Sequence, residues 1–197
     1  MVVMATRARG NGRSSLRVPM IVLTATAAAA GAAVFAVIAA AGAAFPSVSR
    51  GLFAAAASLA LIAAAARGPR PWQRDAETPT EWLEREGLTV AVRNGLALGA
   101  GFLTRVGFWI WWVLPVLAFE SGSVQAGAIV GAAYGAARLG ASSFVAARAE
   151  ATRSDRLPRK LLLWRPRATA AADPLFFIAS GVALALAARL VGFDGWR

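Results

Sequence analysis

From Val18 to Phe45 the chain carries no charged side chain, a run longer than the ~20 apolar residues that cross the hydrocarbon core of a bilayer as a helix. Further apolar runs follow it, and a soluble fold has no interior in which to hide them all. The chain therefore reads as all-α, a polytopic integral membrane helical bundle of about five transmembrane helices. A basic leader, residues 1–17, precedes the first run with Arg7, Arg9, Arg13 and Arg17. A basic leader before an Ala-rich run also suits a secretory signal. The run is about twice the length of a signal core, which favours a spanning helix.

The remaining segments alternate between apolar and polar. Pro46-Ser47 turns the chain, Arg50 stands at the interface, and Gly51 to Ala66 returns, so 18–66 forms a first transmembrane hairpin. Residues 67–93 form a polar connection whose opening prolines, Pro69 and Pro71, forbid helix. Within it Thr78-Pro79-Thr80-Glu81 is a capping-box pattern with proline at the first helical position, predicting a short surface helix with Trp82, Leu83 and Glu86. Asp75, Glu77, Glu81, Glu84 and Glu86 make this segment acidic, but no histidine accompanies them, and a solvated face is the expected role. Residues 94–147 are a central transmembrane hairpin turning at Glu120-Ser121-Gly122-Ser123. Residues 148–172 are a strongly basic connection. Residues 173–197 hold the last transmembrane helix, opened by Asp173-Pro174, and a tail.

Charge sets the orientation. The net charge is +11, and apart from Arg105, Arg138 and Arg189 within the apolar runs, the cations fall in the leader, in 67–93 and in 148–172, leaving Arg50 and Arg197 on the opposite side. By the positive-inside rule the amino terminus is cytoplasmic and five crossings place the carboxyl terminus outside. The expected location is a bacterial plasma membrane. The aromatic residues lie mostly inside the apolar runs and no nucleic-acid-binding motif occurs, so the charge speaks for topology and not for a nucleic-acid partner. The chain has no cysteine and no histidine, which removes thiolate chemistry and the commonest metal ligand and proton shuttle. No metal and no cofactor are expected. In the second connection Arg159, Lys160, Arg165 and Arg167 surround Leu161-Leu162-Leu163-Trp164, a composition that suits anionic lipid headgroups, with Trp164 as the apolar anchor.

The central hairpin holds the feature closest to a site. Arg105 and Arg138 lie inside its two apolar runs at equal distance from the turn, so facing helices carry them to similar depth. A charge at mid-span costs ~2.5–3.5 kcal/mol on insertion scales, and such residues face the bundle interior or water. If both reach one cavity, the ligand they suit is an anion, with Thr104 beside them and Trp109 and Trp112 as a wall. Gly95 and Gly99 on one helix, and Gly127, Gly131 and Gly135 on the other, fall on single helical stripes where another backbone can approach closely. Arg138 continues the second stripe. The first helix is expected to kink or break near Thr104-Arg105.

The run Gly95-Leu-Ala-Leu-Gly99-Ala-Gly101-Phe102-Leu-Thr104-Arg105, following a basic loop, resembles a helix opening of the CcdA/DsbD-type membrane thiol-disulfide carriers of cytochrome c biogenesis. Those proteins have Thr-Pro-Cys or similar where this chain has Thr104-Arg105-Val106. The resemblance therefore implies a cysteine-less relative on a related helical scaffold, without electron-carrier activity.

Two function classes follow. The first is a non-enzymatic membrane component or complex subunit, packing against itself as a homo-oligomer or against other membrane subunits through its glycine faces. The second is a transporter or transporter half that handles an anionic solute at Arg105 and Arg138. No nucleophile or general base within the spans supports an enzyme.

Overall fold

The computed structural model describes residues 17–68, 88–101, 109–152 and 175–191. These form six α-helices and no strand among the described residues: α1 (Arg17–Ala43), α2 (Ser47–Arg67), α3 (Leu88–Gly99), α4 (Ile110–Ser121), α5 (Val124–Thr152) and α6 (Leu175–Leu190). Two of them, α1 and α2, are long and apolar enough to cross a membrane. At 1.5 Å per residue the 27 residues of α1 and the 21 of α2 run about 40 and 31 Å. The leader, the acidic surface segment and the basic connection with Arg159, Lys160, Trp164, Arg165 and Arg167 lie outside the described residues. So do Thr104 and Arg105.

The chain divides into two units. In the first, residues 17–32 of α1 meet α3 and residues 131–152 of α5. Its apolar centre is Leu23, Ala27, Ala91 and Leu139, flanked by Met20, Val22 and Leu98. Contact there is backbone to backbone. A Cβ added at Gly31 would strike the carbonyl oxygen of Gly131, one at Gly135 the carbonyl of Ala27, and one at Gly99 the same Ala27 carbonyl. At Gly95 it would meet the Thr26 hydroxyl, which is already spent on the Val22 and Leu23 carbonyls of its own helix at 2.8 and 3.1 Å. Helix α3 starts at Leu88, earlier than the sequence reading placed it. Ala91, Asn94, Gly95 and Gly99 are its buried positions, the i, i+3, i+4, i+8 pattern of one helical face, which draws the polar end of the preceding connection into the helix.

The second unit holds residues 33–43 of α1, all of α2, α4, residues 124–130 of α5, and α6. Gly51, Ala54, Ser58 and Leu61 form the buried face of α2, and Phe176, Ser180, Ala183 and Ala187 that of α6. Both repeat in steps of three and four, the spacing of helices that lie nearly side by side. They run antiparallel, since Gly51 meets Ala187, Leu190 and Val191 whereas Leu61 packs in one cluster with Phe176, Ala183, Trp109 and Val113. Helix α2 opens behind Pro46, whose φ of −54° suits a helix entry. In this unit Gly127 on α5 lies against the Phe35 carbonyl and Ala39 of α1.

The α4–α5 turn is tight and well capped. Gly122 takes a left-handed conformation with φ 57°, which a residue with a Cβ adopts only under strain. Its N–H donates to the Phe119 carbonyl at 3.2 Å. Ser123 then caps α5, its hydroxyl accepting from the Ala126 N–H at 3.3 Å.

Candidate functional site

In the first unit α3 stops at Gly99. The Ala100 N–H still reaches the Leu96 carbonyl at 3.0 Å, and Gly101 turns the chain with φ 81°. The next described helix begins at Ile110, so the run that the sequence reads as one helix contains α3 and α4, with 102–108, outside the described residues, between them. The last carbonyls of a helix lack N–H donors within it. One of them, that of Leu98, accepts from Arg138 Nη1 at 3.2 Å. The same nitrogen donates to the Tyr134 hydroxyl at 2.6 Å, and the guanidinium lies 5.8 Å from the Tyr134 ring centre. A cation at a helix carboxyl end also meets the favourable end of its dipole.

Arg138 on α5 is thus held by a main-chain carbonyl of α3 and by Tyr134 of its own helix. It emerges from the glycine groove of Gly131 and Gly135, where α1 approaches closely enough to keep out other side chains. Tyr134, one turn before it, supplies a phenol that the sequence reading did not use, although a four-residue spacing on a helix places two side chains on one face. Leu98 could not be found from sequence, because the acceptor is a main-chain group exposed by the helix end.

Trp109 and Trp112 belong to the second unit. Trp109 is buried and packs on Phe176 with ring centres 6.3 Å apart. Trp112 is half-buried and meets Trp111 edge to face at 4.7 Å. Both are thus engaged by aromatic neighbours within that unit. Of the five packing glycines, Gly95, Gly99, Gly127, Gly131 and Gly135, each stands where α1 comes within backbone reach.

At the α4–α5 turn Glu120 and the Arg50 of α2 form a second polar pair. Glu120 is 4% exposed and neither carboxyl oxygen has a hydrogen-bond partner. The Arg50 guanidinium rests on Gly122, and its Nε is buried without an acceptor. Burial raises the Glu120 carboxyl from 4.5 to about 7, against the opposing pull of Arg50. Among the described residues no group of three or more His, Cys, Asp or Glu side chains comes together to hold a metal. Comparison of the chain with protein-family models, with curated proteins and with solved structures finds no match.

Proposed function

We propose that this chain is a small multi-pass integral membrane protein, a non-enzymatic component whose helices pack through small residues and turn large apolar side chains toward lipid. The observation that carries this reading is an inversion of the usual soluble pattern. On α1 Ala27 and Ala39 are fully buried while Ile21 and Val37 are 67% and 69% exposed. On α2 Ala54 and Ser58 are buried while Leu52, Phe53 and Leu59 face outward, and on α6 Ala183 and Ala187 are buried while Phe177, Ile178 and Val182 face outward. In water such faces would drive association. In a bilayer, lipid is as apolar as leucine, and small residues inside let helices approach closely.

Five crossings follow: α1, α2, the interrupted pair α3 and α4, α5, and α6, with the amino terminus cytoplasmic by the distribution of arginine. A single cysteine placed at Gln125 should react with a membrane-impermeant reagent in intact cells, and one placed at Arg153 should not. The reverse pattern contradicts the orientation. The glycine faces are covered by α1 within the chain, so it is the exposed apolar surface that suits a homo-oligomer or other membrane subunits as partners, and the basic connections suit anionic headgroups. A cysteine-less relative of the CcdA/DsbD-type carriers would fit the same description.

A second reading, transport of an anion at Arg138 with Arg105, draws on the interruption at Gly99 to Gly101. Broken spans in transporters line solute sites near the bilayer midplane. The two readings separate on Arg138→Gln. A structural Arg138 gives the same loss of thermal stability in detergent with and without chloride, phosphate or sulfate. An anion site gives stabilisation by one of these anions in the native chain that the substitution removes.

A further inference from the structure

Within the second unit the α1–α2 and α4–α5 turns pack on one another. Gly42 lies against the Phe119 main chain, the Phe45 and Phe53 rings stand 5.7 and 4.9 Å from the Phe119 ring, and the Arg50 guanidinium covers Gly122. Glu120 is the next residue after Phe119, at the end of the apolar run, and its carboxyl is turned into the protein with both oxygens unpartnered. A carboxylate there would hold a full charge with no donor to stabilise it. Arg50 is close enough to act on it electrostatically, yet no hydrogen bond joins the two, and the Arg50 Nε is itself unpartnered.

Among the described residues the remaining surroundings are neutral. Residues 42–49 and 51–53, on the α1 and α2 sides, are uncharged, as are 110–119 on α4 and 121–130 along the turn and α5. Arg189 on α6, near the end that meets Gly51, is exposed. Among the described residues Arg50 is the charged group that acts on Glu120. A carboxyl group in this place avoids its cost by keeping its proton.

We infer that Glu120 is a proton-binding residue which, with Arg50, makes the contact between the two turns respond to pH. Protonated, Glu120 stays buried beneath the turn. Ionised, it moves out to water or to the guanidinium, and Arg50 must leave Gly122 to meet it. The sign follows from linkage. The folded chain holds a proton that the unfolded chain has lost, so the closed contact is favoured in acid and weakens as pH rises through about 7. This holds for the folded chain in detergent or bilayer, whatever its function.

The test uses the full chain in detergent, labelled at a single introduced cysteine, Gln125→Cys, since the chain has none of its own. Spin-label mobility should increase between pH 5.5 and 8.5 with a midpoint near 7, and in Glu120→Gln it should stay at the acid value throughout. Arg50→Gln should move the midpoint to higher pH. The infrared band of a protonated carboxylic acid should persist at pH 6.0, above the range where exposed carboxyls titrate, and vanish by pH 8.5. That measurement needs only the native chain, so the inference is testable even if a variant does not fold. A mobility profile identical in the native chain and in Glu120→Gln overturns it, as does the absence of a protonated-acid band at pH 6.0.

Discussion

Arg138 Nη1 donates to the Leu98 carbonyl at 3.2 Å, joining α5 to the end of α3. The bond uses a main-chain oxygen that the helix end leaves over, and it gives an arginine in an apolar helix a fixed partner. Arg138→Met removes the donor and leaves that carbonyl unsatisfied, at a cost of about 1.5–3 kcal/mol for a charged hydrogen bond. Arg138→Lys keeps the charge but loses the planar fork, and should fall between. Tyr134→Phe should cost about 1 kcal/mol, and the double substitution should cost less than the sum, because both residues share one bond. Thermal unfolding in detergent measures all four.

The glycines give a graded prediction. Gly31→Ala, Gly99→Ala and Gly135→Ala each drive a methyl group into backbone atoms of another helix, which cannot move as a side chain can. Each should cost roughly 1–3 kcal/mol, as overpacking does. Gly181 on α6 has open space around the same position, and Gly181→Ala should stabilise by up to about 1 kcal/mol through helix propensity. Equal effects at Gly31 and Gly181 would contradict the close-contact account.

Ser58 on α2 and Ser180 on α6 are buried with hydroxyls that find no partner. Removing an unsatisfied buried hydroxyl relieves a desolvation cost. Ser58→Ala and Ser180→Ala should therefore leave stability unchanged or raise it by about 1 kcal/mol. A loss of more than about 1 kcal/mol in either would show that the hydroxyl is bonded.

The helical class and the positions of α1, α2 and α5 were legible because uncharged runs and alanine-rich composition leave no other regular structure. The glycine stripe of α5 was legible for the same reason: steps of four keep Gly127, Gly131 and Gly135 on one face. The matching stripe on α1 was not, because Ala27, Gly31 and Ala39 are indistinguishable from the alanines around them. The break expected near Thr104-Arg105 lies outside the described residues; within them α3 ends at Gly99, where the left-handed Gly101 stops it. Glycines that resemble a family signature thus have local physical roles here, contact at Gly95 and Gly99 and a turn at Gly101. Glu120 was hidden by its position in a turn, where a carboxyl is ordinarily exposed.

At the α4–α5 turn, Gly122→Ala forces a Cβ into a left-handed backbone and against the Arg50 guanidinium. It should cost roughly 1–2 kcal/mol, and Ser123→Ala about 1 kcal/mol through the lost cap. Thermal unfolding of the two variants, read beside the native chain, checks both values.

The membrane reading is tested most directly by asking what surrounds the large outward side chains. Spin labels at single cysteines replacing Val37, Ile129 and Ile178, all exposed, and Ala39, fully buried, can be probed in reconstituted bilayers with oxygen, which concentrates in lipid, and with a polar nickel chelate, which does not. The account predicts high oxygen contact and little chelate contact at Val37, Ile129 and Ile178, with little of either at Ala39. Strong chelate contact at the three outward positions would mean that water, and not lipid, covers these faces, and would contradict the account.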